Sequence, residues 1–211
     1  GLATTRLYSS PLALPQPDFG VLKKAQRGDE RAFSLIVRAY ETPVYNYVLR
    51  LVGDRSLAED LTQEVFLRVY QGLPKFSLRC RFTTWLFQVT KNRVLDELRA
   101  LERRPRAVVA LEDVPPLEVV DAPVERAETM DAVWRSVERL NPDLKMALLL
   151  RDVVGLSYTE IAETLEITLA TVKWRIYKAR EEVQLALHRD GVVVPITSAS
   201  SASSAAANTA R

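Results

Sequence analysis

The sequence predicts an all-α protein of two small helical domains joined by an extended acidic linker. Apolar residues recur at helical spacing over residues 19–104 and again over 125–188, with no convincing strand-type alternation. Between these stretches Pro105, Pro115, Pro116 and Pro123 stand among acids, which reads as a linker. Charge is also segregated. Residues 75–104 hold eight Lys/Arg against three Asp/Glu, whereas 105–131 hold two against seven, so the two stretches should face different neighbours. The expected boundaries are a mobile arm at 1–18, a first domain at 19–104, the linker at 105–124, a second domain at 125–189, and a disordered Ser/Ala-rich tail at 190–211.

Composition narrows the function. With 47% hydrophobic residues in 211, each domain has enough apolar side chains for a core. One cysteine, Cys80, excludes an intramolecular disulfide and a cysteine-rich zinc site. One histidine, His188, removes most hydrolytic triads and histidine metal sites, and no Gly-rich phosphate loop is present. No cofactor is expected, and an enzyme with an appended binding tail is disfavoured. No apolar run approaches the roughly 18 residues of a membrane span, and the first residues do not resemble a secretory signal. A cytoplasmic protein without membrane insertion is the expectation.

In the first domain Ser56 and Glu59 read as a capping box that opens a helix running to about Gly72. Leu57, Leu61, Val65 and Val69 share its core face, while Asp60, Gln63, Glu64 and Leu67 share another. Carboxylates beside an exposed leucine suit protein docking; the alternative is a solvated face with one stray leucine. After Pro74 a basic loop precedes a helix that starts near Phe82 and continues toward Arg99 and Arg103. Phe82, Leu86 and Val89 mark its buried side, and Thr84, Gln88, Lys91, Asn92 and Arg99 its polar side. Cations, amides and hydroxyls interleaved with aromatics suit single-stranded nucleic acid, whose bases need pockets and whose phosphates need charge. Trp85 itself reads as a core residue.

The second domain carries the sharpest pattern. Ser157 and Glu160 form a capping box, Ile161, Ala162 and Leu165 give one apolar face, Glu166-Ile167 forms a turn, and Thr168 caps the next helix. There Val172, Ile176, Ala179 and Val183 share one face, opposite Thr171, Trp174, Arg175 and Lys178. Lys173, Arg175, Lys178 and Arg180 occur between 171 and 180 without a carboxylate. A short helix, a tight turn and a basic helix with one apolar face describe a DNA-binding helix-turn-helix; the alternative is a helical hairpin with solvated charges, against which the segregation of sign argues.

Two of these stretches resemble a known family. Asp60-Leu61-Thr62-Gln63-Glu64-Val65-Phe66-Leu67, Phe82-Thr83-Thr84-Trp85-Leu86, and Asn92 through Asp96 to Arg99 resemble the second conserved region of bacterial sigma factors. Gly155-Leu156-Ser157-Tyr158, Thr171-Val172-Lys173 and Ala179-Arg180 resemble their fourth region. The layout, with only an acidic linker between the two, is similar to the extracytoplasmic-function group. The resemblance implies that Asp60, Leu61, Gln63, Glu64 and Leu67 grip the clamp of the large subunit of core RNA polymerase, with the flap as a further contact. It implies that Ser77, Leu78, Arg79, Cys80 and Arg81 capture an extruded base of the −10 element, and that Lys91, Asn92, Arg93 and Arg99 meet its upstream edge. It places Thr171, Lys173, Trp174, Arg175, Lys178 and Arg180 at the −35 duplex, the linker in the polymerase channel that later carries RNA, and an anti-sigma factor among the partners. Free-standing helix-turn-helix regulation is the alternative, though such a regulator would need neither the 60–67 surface nor the 82–99 helix. The chain departs from the family at Glu166, where glycine is usual in the turn, which implies local strain or a different turn. It departs again at Trp174, where a small residue is usual, and at Arg79-Cys80-Arg81, where small and acidic residues are frequent. Cys80 between two cations is either an unreactive small side chain or a thiol sensor.

Overall fold

A computed structural model of the chain describes residues 14–103 and 124–192, with side chains from Thr129 onward in the second stretch. All regular elements among these residues are helical. The first bundle comprises α1 (Phe19–Gln26), α2 (Glu30–Val52), α3 (Arg55–Gly72), a 3-10 turn (Leu73–Lys75) and α4 (Phe82–Arg103). The second comprises α5 (Val124–Glu138), α6 (Pro142–Asp152), α7 (Tyr158–Leu165) and α8 (Leu169–Arg189). The predicted linker and Ser/Ala tail lie almost wholly outside the described residues, as does the arm before Leu14.

Side-chain caps set where these helices begin. Asp18 accepts from the Gly20 and Val21 amides at the start of α1, and Asp29 accepts from Ala32 at the start of α2. Gly53 takes φ 73° to close α2, and Asp54 accepts from the Leu57 amide at 2.7 Å to open α3. The expected Ser56–Glu59 capping box is therefore corrected. Asp54 starts the helix two residues earlier, and its carboxylate also meets the positive end of the helix dipole. Asn141, followed by Pro142 at the first helical position, opens α6.

Residues 14–18, expected to belong to a mobile arm, are instead pinned to the first bundle. Tyr40, buried so that its hydroxyl is pushed up to about 12, donates to the Pro15 carbonyl. The Gln16 side chain donates to Thr83 Oγ1 and accepts from the Thr83 amide. Gln26 on α1 donates to the Leu73 and Phe76 carbonyls, tying α1 to the 3-10 turn. Tyr40, Tyr47, Phe82 and Phe87 are the largest sealed side chains of this bundle, with Tyr47 and Phe87 packed edge to face. Trp85 is half-buried, and its ring lies against Phe76, Phe82 and Gly72.

The two bundles pack on each other, which nothing in the sequence announces. α4 lies against α7 and α2 against α6, and buried side chains from both bundles form one hydrophobic cluster. Arg50 of α2 stacks over the Trp134 ring of α5 at 3.7 Å from its centroid, with both residues buried. No helix among the described residues is long and apolar enough to cross a membrane.

Leu61 is fully buried at the centre of the first bundle. Leu61→Ala should cost about 2–5 kcal/mol of stability, read as a lowered urea midpoint, because the cavity it leaves collapses only in part.

Candidate nucleic-acid interface

Three stretches of the first bundle converge on chemistry suited to partners. On α3, Asp60, Gln63, Glu64 and Leu67 face outward and Leu67 is 57% exposed, so carboxylates surround an apolar knob. Leu61, which the resemblance assigns to this surface, lies on the core face where helical spacing puts it and has no exposed atoms to offer. One α-turn cannot aim Leu61 at both Val65 and solvent, and the apolar period takes precedence. Ser77, Leu78, Arg79, Cys80 and Arg81 form an exposed loop over the Phe76, Phe82 and Trp85 aromatic cluster.

On α4 the polar residues separate by environment. Asn92 and Arg99 are exposed, whereas Lys91 is buried, only 5% exposed, and Arg93 is half-buried. Arg93 bonds Glu64 of α3 and, at 2.8 Å, Glu97 one turn along α4. That fork crosses from α4 to the outward face of α3. Glu64 is held below its ordinary value of 4.5, chiefly by the hydrogen bond from Arg93, with attraction from Arg93 and Arg68 adding and burial opposing.

The helix-turn-helix forms where the sequence placed it. Ser157 and Glu160 complete both hydrogen bonds of the capping box, and Thr168 accepts from the Thr171 amide at 3.2 Å. Glu166 ends α7 at φ 57°, ψ 43°, the left-handed conformation that glycine adopts freely. The turn is therefore the ordinary one, and a β-carbon is carried through it at a cost of about 1 kcal/mol. Val172, Ile176, Ala179 and Val183 are all buried, fixing which face of α8 looks outward.

On that outward face lie Lys173 and Trp174, the latter 59% exposed. Tyr177, one turn beyond Trp174, is also exposed and was not singled out from sequence, although its i+3 spacing carries the signal. The other cations between Thr171 and Arg180 are engaged. Arg175 pairs with Asp143 at 2.7 Å, Lys178 with Glu181 at 2.7 Å, and Arg180 with buried Asp152 at 2.6 Å. Among the described residues Lys173 has no ion-pair partner. Asp143 and Asp152 both come from α6, about 30 positions away in sequence, beyond the reach of any local charge pattern.

α7 also presents two carboxylates to the first bundle. Glu160 Oε1 meets Arg81 at 2.9 Å and accepts from Thr83 at 3.3 Å, while Glu166 pairs with Lys91 at 3.0 Å. Two residues expected near the −10 element, Arg81 and Lys91, are thereby joined to the helix-turn-helix.

The sigma-70 region 2 family matches residues 36–104 and the sigma-70 region 4 family matches residues 130–183. The chain is 35% identical to the RNA polymerase sigma-H factor of Pseudomonas aeruginosa, over 82% of this chain and 94% of that protein. It is 34% identical to the ECF RNA polymerase sigma-E factor of Escherichia coli K12, over 77% and 90%. In fold it is similar to CnrH in its complex with the cytosolic domain of CnrY (TM-score 0.64, 23% identity, 82% of this chain and 99% of that one). It is also similar in fold to RpoE bound to the anti-sigma factor NepR from Bartonella quintana (TM-score 0.64, 20% identity, 75% and 98%).

Two stability measurements check this geometry. Arg180→Ala leaves Asp152 buried without its cation and should cost about 3 kcal/mol, whereas Lys173→Ala should stay within about 0.5 kcal/mol; urea unfolding reads both. Because the Glu64 carboxyl is depressed in the folded state, its contribution is complete above pH 4.5 and is lost as pH falls through the lower folded value. Glu64→Gln should therefore flatten the fall of the urea midpoint below pH 4.5, and equal slopes in both proteins would refute that coupling.

Proposed function

The chain belongs to the extracytoplasmic-function sigma factors of the sigma-70 family, and we propose that its two bundles divide one promoter between them. As an alternative sigma factor it directs RNA polymerase to specific promoters. The bonds of the transcript are made by polymerase, and what this chain contributes is positioning.

The outward face of α3 docks core polymerase through Asp60, Gln63, Glu64 and Leu67. Support comes from an exposed leucine ringed by acids and from Arg93, which holds Glu64 in a fixed place. Leu61 and Arg93 act as positioning residues for that surface. The 77–81 loop, with Arg79 and Arg81 flanking Cys80 above an aromatic cluster, captures a base extruded from the −10 element. Lys91, Asn92 and Arg99 meet the adjoining phosphates. Unstacking a base costs a few kcal/mol, which stacking and pocket contacts must offset.

α8 lies in the major groove at the −35 element. The observation that carries this reading is the outward pairing of Lys173 with Trp174 and Tyr177 on a helix whose opposite face is sealed. Lys173 supplies phosphate charge, Trp174 contacts thymine methyls or the sugar backbone, and Thr171, Arg175 and Lys178 flank them. Arg180, held by Asp152, keeps α8 seated on α6. The 105–124 linker sets the separation of the two DNA sites. CnrH and RpoE are each solved with a partner, the cytosolic domain of CnrY and the anti-sigma factor NepR respectively; an inhibitor of that kind here would cover the same surfaces.

The test is transcription by core polymerase from a promoter library, with and without the protein, with start sites mapped. Start sites that require it, and share two upstream elements at fixed spacing, are expected. Tight duplex binding without polymerase and no dependent start sites would instead indicate a free-standing regulator. In the same assay Trp174→Ser should relax the −35 sequence preference. Lys173→Ala should weaken all promoters alike and lower the salt slope of binding by about 1.

A further inference from the structure

The 77–81 loop has little of its own to keep it in place. Its Cys80 amide donates to the Ser77 carbonyl at 3.0 Å, which shapes a turn, and Leu78, its one aliphatic side chain, stands 37% exposed rather than in the core. Such a loop takes its position from its two footings. Both footings are gripped by glutamines from the start of the chain. At the first, Gln26 of α1 gives its amide protons to the Leu73 carbonyl at 3.0 Å and the Phe76 carbonyl at 2.8 Å, immediately before Ser77. At the second, Gln16 donates to Thr83 Oγ1 and accepts from the Thr83 amide at 3.4 Å, two residues beyond Arg81. Phe76 and Thr83 are themselves buried, so each glutamine ties an end of the loop where it leaves the core. Both glutamines precede residue 36, where the match to the sigma-70 region 2 family begins.

We propose that Gln16 and Gln26 are positioning residues for −10 recognition. Together they fix the height and direction of the 77–81 loop, and so the segment ahead of the family match sets how strictly the captured base is chosen. A site discriminates between bases only while its groups are held to within about 0.5 Å, and a loop that shifts further accepts several bases alike. Arg81 is steadied separately by Glu160 at 2.9 Å, which leaves Ser77 to Cys80 as the part that depends on the glutamines. This inference rests on the reading that the loop captures a −10 base.

The test uses the full chain with core polymerase and a promoter library randomised across the −10 element, with start sites mapped. Gln26→Met keeps the length of the side chain without its protons. Gln16→Ala alters an exposed position, so it serves even where Gln26→Met does not fold. Each variant should lower base preference at the captured position about tenfold and leave −35 preference within about twofold. In the free chain a nitroxide on Cys80, the single cysteine, should give a more mobile spectrum in both variants. Val48→Ala is the control: it removes buried methyl groups about two turns along α2 from Tyr40, whose ring packs on Phe82, and should change neither readout. Equal flattening of −10 preference by Val48→Ala overturns the proposal, since general loss of stability then accounts for the effect. Leu78→Ala in the otherwise unaltered chain tests the loop itself. If it shifts −10 preference while the glutamine variants do not, the proposal falls and the role of the loop stands. If −10 preference survives all three, the loop does not read the base, and the proposal falls with that reading.

Discussion

Arg50 lies 3.7 Å from the Trp134 ring centre with both side chains nearly sealed from water, so a full positive charge of the first bundle is lodged in the second. Burying a guanidinium costs several kcal/mol, which the face of an indole returns only in part. Around it α2 on α6 and α4 on α7 bury apolar area. Separating the bundles exposes that area but also rehydrates Arg50, Lys91 and Glu160. The balance is closer than for a seam of aliphatic side chains alone.

Within each bundle, the cations sort into those that hold the protein together and those available to a partner. Arg93 and Arg180 belong to the first kind. Each is a short-range ion-paired connector between helices, α4 to α3 and α8 to α6. Lys173 belongs to the second. Arg175 and Lys178 are intermediate, because their carboxylate partners are themselves exposed and can be exchanged for a phosphate. A count of positive residues along a helix therefore overstates the charge it has free for a partner.

Much of the fold was legible because it is written locally. The capping box at Ser157 and Glu160, the Thr168 cap and the four apolar positions of α8 each depend on residues within one or two turns, and all stand where periodicity put them. The start of α3 was misplaced because Asp54 and Ser56 are both acceptable caps, and Gly53 closing α2 decides between them. What stayed hidden is non-local. Asp143 and Asp152 reach α8 from α6, Gln16 reaches Thr83 across 67 positions, and Glu166 reaches Lys91 across 75. No periodicity encodes such pairings; they exist only once the helices are packed. Leu61 shows the same limit from the other side, since a motif resemblance assigned to a surface a residue that packing claims for the core.

The Arg175–Asp143 pair has a consequence for how binding responds to ions. A free arginine that lands on a phosphate displaces a condensed cation from the DNA, and each such event steepens the loss of affinity with salt. Arg175 already has its counterion, covalently part of the protein. Moving it to a phosphate leaves Asp143 bare, ready to collect a cation from solution and return much of the entropy that the DNA released. A helix whose cations are paired in this way would thus behave in a salt titration as though it carried fewer of them, holding a duplex over a wider range of ionic strength while gaining less from dilution.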